Sequence, residues 1–171
     1  MSTFHGRFNL GYKTDSTQQP MVLGDEFDVI ASEYDATNDI EKNTNCGRVT
    51  VRWVQNNSGS PLSPGMAVTR DHANNLGDVE VKICGASDVP CGIVDPRLTS
   101  AVADGEKFFI VVKAGRIPAL VGATAIAKGA QLGVLASGKV DDASGTDKMV
   151  ALEAGGAVDS LIDIACNFYA L

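Results

Sequence analysis

The sequence predicts an all-β protein, a small β-barrel or β-sandwich body preceded by an extended N-terminal arm. Three observations carry this expectation. Short segments that alternate apolar and polar residues, rich in Val and Ile, recur through the second and third thirds of the chain. Clusters of Gly, Pro, Asn, Asp and Ser separate them about every ten residues. The 18 glycines among 171 residues exceed the usual share of about 7%, an excess that suits turns better than helices.

Residues 1–45 read as the arm and 46–171 as the body. The arm is polar and aperiodic, with scattered aromatics at Phe4, Phe8, Tyr12, Phe27 and Tyr34 and an acidic run from Asp25 to Glu41. A helix over Glu26 to Tyr34 is compatible with the composition, although no i, i+3, i+4 stripe supports it. Such a stretch does not bury a core of its own. It is either a disordered tail or an arm that orders against a partner, and spaced aromatics on a polar background suit a docking arm.

The body opens with RVTVRWVQN (48–56), in which Val49, Val51 and Trp53 face one way and Thr50 and Arg52 the other. That is a half-buried strand. The turn cluster Asn56 to Gly65 ends it, and Met66 to Thr69 reads as a short strand. After the loop Asp71 to Asp78, Val79 to Cys84 alternates, with Val79, Val81 and Ile83 expected inward; Cys91 to Val94 is a short buried strand. Lys107 to Val112 (KFFIVV) is the strongest strand signal, a continuous apolar run bounded by turn residues. Beyond it, Ala119 to Leu135 is rich in Ala and Leu, but Gly122, Gly129 and Gly133 each cost a helix about 1 kcal/mol relative to Ala. Short strands fit better there: Ala130 to Leu135, Lys139 to Val140, Met149 to Leu152 and, last, Leu161 to Phe168.

Composition excludes several function classes. With 44% hydrophobic and 20% charged residues the chain is not disordered throughout. Its 21 acids against 14 Lys and Arg give a net charge of −7, which phosphate backbones and anionic lipid surfaces repel, so neither nucleic acid nor membrane is an expected partner. No apolar stretch approaches the roughly 18 residues of a membrane span. Residues 1–20 show no apolar core of a secretion signal, so synthesis in a cytoplasm is expected.

The inventory of chemistry is thin. None of the motifs G-x-S-x-G, H-E-x-x-H, Walker loop or G-x-G-x-x-G is present. His5 lies in the arm and His72 in a loop; Asp71-His72 is a pair of the kind a hydrolase uses, but a solvated loop is the preferred reading. Cys84 and Cys91 stand too far apart for a metal knuckle, and Cys46 and His72 would have to complete the set, so buried packing is preferred. Asp141, Asp142 and Asp147 form a loose acidic loop without the calcium-loop spacing. No catalytic residue, metal site or cofactor is therefore expected. A thiol hydrolase using Cys and His is the enzyme reading held against this.

The order of several phrases resembles a known family. They are VQNNSGSPLSPGMAV (54–68), CGIVDPRLTSAVADGEKFFIVVKAGRIPAL (91–120), AIAKGAQLGVLASGKVDDA (125–143) and ALEAGGAVDSLIDIACNF (151–168). In this order they resemble the small capsid decoration, or cement, proteins of tailed phages. The resemblance covers about the last two-thirds of the chain, each phrase alone being weak, and residues 1–45 have no counterpart in it. It implies a compact β-barrel-like body on the outer surface of the virion head. It further implies a homotrimer that clamps neighbouring major capsid proteins, and no catalytic residues. Phe4, Phe8 and Tyr12 become the candidate capsid or subunit contacts of the arm. The competing reading is a β-sandwich that holds carbohydrate or a receptor on a phage fibre or head, using the loops Asn56 to Ser63 and Asp71 to Asp78.

Overall fold

A computed structural model describes residues 13–14, 23–35, 40–72, 79–122, 125–142, 148–155 and 157–169; for 13–14, 29–35 and 40–48 it describes the backbone alone. Every regular element among them is a strand, so the chain is all-β as the sequence predicts. In order these are β1 (Lys13–Thr14), β2 (Glu26–Asp35), β3 (Ile40–Asn56), β4 (Ala67–Arg70), β5 (Glu80–Ile83) and β6 (Gly92–Val94). There follow β7 (Lys107–Leu120), β8 (Gly133–Val134), β9 (Val140–Asp141), β10 (Met149–Ala151) and β11 (Leu161–Asn167).

Five of these strands close a ring. β3 pairs antiparallel with β7 from Val49↔Ala114 to Gln55↔Lys107. β7 pairs with β6 at Val111↔Ile93 and Ile110↔Val94. β6 pairs with β4, and β4 with β5. The circuit ends where β5 meets β3 in parallel at Glu80↔Gln55 and Val81↔Asn56. Closure gives each of these five strands a partner on both sides, while the sheet continues outside the ring to β2 and β10.

The ring explains the composition of β7. Phe108, Ile110 and Val112 belong to a buried cluster that takes one residue from every other ring strand: Val54, Val68, Val81 and Val94. That cluster fills the ring. Phe109 and Val111 point the other way, into a second core with Val49, Val51, Trp53 and Ile93. Ile126, Leu132, Val134, Val140, Met149, Ile162 and Ile164 cover this outer core. A strand buried on both faces reads as a continuous apolar run rather than an alternating one, hence KFFIVV. Leu62 bridges to Val102, and Asn56, fully buried, donates to the carbonyls of Ser60 (2.9 Å) and Val102 (3.0 Å).

Three sequence expectations need correction. The segment Glu26–Tyr34 is a strand, not a helix: β2 pairs with β3 from Glu26↔Arg52 to Ile30↔Arg48 and, past a bulge, from Ser32↔Asn43 to Asp35↔Ile40. Cross-strand pairing overrides a composition that carries no periodic signal. The strand of KFFIVV does not stop at Val112 but runs to Leu120, because β11 pairs with it from Lys113 to Leu120, beyond the residues that pair with β6. Pro118 is tolerated there since, among the described residues, β7 beyond Ala114 is paired along one edge only. Of the alternating run, Val81 in β5 is buried as expected, but Val79, just before β5, and Ile83 are half-buried and Glu80 is buried instead. Position 45, the sequence boundary between arm and body, falls within β3.

Candidate functional site

One groove gathers side chains of opposite character. It is lined by Thr69 and Arg70 of β4, His72 just after it, Lys82 of β5, the loop 87–91 that leads into β6, Lys148 before β10 and Phe168 after β11, around a cavity of about 400 Å³. Backbone pairing sets these elements in place. The Cys91 amide donates to Val68 O at 2.8 Å, the Asn167 amide to Lys148 O at 2.9 Å and the Phe168 amide to Val112 O at 2.9 Å. Arg70, Lys82 and Lys148 are cationic, Asp88 is the one acid of the lining among the described residues, and Val89, Pro90, Cys91 and Phe168 supply apolar surface. Val89 is 61% exposed at the groove.

The thiols are held neutral. Burial raises Cys91 to about 11, against the pull of Arg70, Arg52 and Lys148, whose positive charge reaches it. Burial raises Cys84 to about 12, with the charges of Asp88 and Cys91 adding to the shift. Burial likewise raises Cys166 to about 12. A nucleophilic cysteine needs the opposite, a thiol lowered towards neutrality.

Beside the groove, the residue after Phe168 ties the end of β11 to β2. Tyr169 Oη donates to Glu26 Oε2 at 2.6 Å. Arg52 Nε donates to Glu26 Oε1 at 2.7 Å, and the guanidinium also pairs with that carboxylate. Burial and the Glu26 carboxylate hold the Tyr169 phenol well above its ordinary range. On the other side, the buried Asp71 accepts from Asn57 Nδ2 at 2.8 Å and faces Lys82 Nζ at 3.9 Å; Asn57 also reaches Glu80 at 3.4 Å.

Of the residues singled out by sequence, Phe4, Phe8, Tyr12 and His5 lie outside the described residues. Cys91 and His72 line the groove; Cys84, a free thiol, lies against the outer core and contacts Gly85 O and Asp88 O. Trp53 is buried in the outer core, as its alternation predicts, and is no exposed stacking platform. Among the described residues no three His, Cys, Asp or Glu side chains converge on a metal site. Sequence reading missed the convergence of Arg70, Lys82 and Lys148, which come from three separate segments.

No family model matches the chain, and no curated protein sequence matches it. Among solved structures the fold is similar to the N base of head fiber gp8.5 of bacteriophage phi29, with a TM-score of 0.51 and 13% sequence identity. The likeness covers 70% of this chain and 95% of that one. At that identity it is a likeness of fold.

Proposed function

We propose that the chain is a non-catalytic structural protein of a phage head, carried on the outer surface of the virion as a homotrimer that binds the major capsid protein and stabilises the shell. The observation that carries this reading is the shared fold with a head-fiber base, which spans nearly the whole of that chain. The ring-closed body supports it, since a passive plug for a protein shell needs a rigid scaffold with protected edges. The raised thiols support the absence of nucleophilic chemistry. In this reading Phe4, Phe8 and Tyr12 anchor the arm on the coat, and three linked arms raise avidity without strong single contacts.

Co-sedimentation tests this. Full-length protein mixed with heads that lack it is expected to pellet with them at a saturable ratio. Removal of residues 1–20 is expected to weaken that binding while circular dichroism of the body stays unchanged. A protein that never pellets with heads would contradict the role, and full binding without the arm would contradict the anchoring.

A further inference from the structure

The part of the sheet made by β10, β11 and the end of β7 is apolar on both faces. Its inner face, Ile117, Ala119, Met149, Ala151, Ile162 and Ile164, belongs to the outer core. Antiparallel strands with one covered face ordinarily turn polar residues outward. Here the register sets Leu161 opposite Leu120, Asp163 opposite Pro118 and Ala165 opposite Val150 on the outward face. Leu152, whose amide donates to Asp163 O at 2.8 Å, extends the same row. Leu161 is 48% exposed and Val158, in the turn before β11, 45%; the other apolar residues of this face are half-buried. Leu120 also packs against the ring cluster, so the face adjoins the ring.

Apolar residues gathered on an exposed face mark a place where another surface lies, and charge decides which surface fits. The seven carboxylates from Asp25 to Glu41 equal the whole net charge of −7, and the rest of the chain holds 14 acids against 14 Lys and Arg. The charges set among the apolar residues of this face come in pairs, Arg116 with Asp163 and, next to Val158, Lys139 with Asp159. Glu153, which accepts from the Asp163 amide at 2.9 Å, adds an acid at one end. Lys113 and Lys148, level with Asn167, add bases at the other. Among the described residues the face thus holds both signs in near balance, and it selects neither a strongly acidic nor a strongly basic partner. A second copy fits it: apolar centre meets apolar centre, and each copy brings both signs to the other. Three strands ~4.8 Å apart and five residues at ~3.3 Å each span about 14 by 17 Å. That supplies the apolar centre of a contact, with the charged residues as rim, inside the ~800 Å² that each partner gives to a stable interface.

We propose that copies of this chain associate through the outward face of β10, β11 and the end of β7, with Leu161 and Val158 in the contact. Three copies set about an axis beside this face give the trimer of the proposed function. The inference rests on that reading for the number three alone, and it is tested on purified protein without heads, so each can fail separately.

Sedimentation equilibrium on the full chain reads the association, which is expected to rise with protein concentration. Leu161→Asp and Val158→Asp each place a charge in the contact and are expected to weaken association at least about tenfold. Val89→Asp is the control. Val89 is more exposed still, at 61%, but belongs to the groove loop before β6, and its variant is expected to stay within about threefold of wild type. Leu161 lies against Gly65, where a Cβ would meet it at 2.8 Å. Val158→Asp, in an exposed turn, therefore carries the test if circular dichroism shows that Leu161→Asp does not fold. A wild type that is monomeric at every concentration overturns the proposal. So does association indifferent to the face variants, or weakened equally by Val89→Asp. A monomer whose binding to heads is lost in the face variants overturns it too, and points to the coat protein as the occupant of the face. Co-sedimentation with heads separates the two readings: a chain that associates but never pellets keeps this inference and loses the proposed function, and a monomer that pellets does the reverse.

Discussion

Trp53 on β3 and Phe109 on β7, cross-strand partners, bring their rings to 4.7 Å between centroids at a 59° tilt. Phe27 of β2 meets Phe109 edge-on at 6.2 Å. The three rings join β2, β3 and β7 on the face that the outer core covers. Phe109→Ala is expected to cost about 3–5 kcal/mol, the range for emptying a buried aromatic site. Urea unfolding checks this: the midpoint falls, with the slope unchanged.

Gly138 is fixed by both conformation and space. Its φ is +75°, and a Cβ there would lie 2.8 Å from the carbonyl oxygen of Ala67. The Ala67 amide in turn donates to Gly138 O at 2.7 Å, tying the β8–β9 turn to β4. Gly138→Ala is expected to cost more than the ~1–2 kcal/mol of left-handed strain alone. Gly129, at φ +84° with nothing within 4 Å of its Cβ position, is the control: Gly129→Ala pays the strain term only. Equal losses in the two variants would show that the backbone contact does not matter.

The Tyr169–Glu26 bond joins the end of β11 to the base of the ribbon. Both groups are partly exposed, so Tyr169→Phe is expected to cost about 0.5–1.5 kcal/mol. Hydrogen exchange should show faster opening at Glu26 to Asp28 with little change in β4 or β6. A global loss of protection would mean that the bond supports the whole body rather than the ribbon base.

The thiols set an alkaline limit. Cys84, Cys91 and Cys166 ordinarily titrate near 9.0 and in the fold near 12, 11 and 12. The folded state therefore holds these protons more tightly than the unfolded one. Their contribution is fully present below about pH 9, falls as pH rises above it and is lost through pH 11–12. Melting temperature is expected to be insensitive to these thiols up to pH 9 and to fall beyond it. Cys166→Ala, though less stable throughout from its lost packing, should show a shallower alkaline decline. A parallel decline would mean that Cys166 does not titrate differently in the two states.

Much of the fold was legible in the sequence, and the failures have physical reasons. In the last strand, which the sequence places at Leu161 to Phe168, Ile162, Ile164 and Cys166 are buried while Leu161 and Asn167 are exposed, because one face alone meets the core. The strand of KFFIVV was legible because both its faces are buried. Strand β2 was not, since its residues are held by partners on β3 and by Phe109 rather than by a periodic pattern of their own. Nor was the ring, whose closing step is the parallel contact of β5 with the end of β3 at Gln55 and Asn56, which no local pattern encodes. The groove was hidden for a similar reason. Arg70, Lys82 and Lys148 look like scattered surface cations until β4, β5 and the approach to β10 are brought together.

The central proposal is that this ring-closed body is a non-catalytic component on the outside of a phage head. Cryo-electron microscopy of purified particles made with and without the chain tests it most directly. The account predicts discrete external density, repeated at fixed positions on the capsid lattice, that disappears when the chain is absent and returns when it is added back. Heads with the same surface density in both preparations would contradict it.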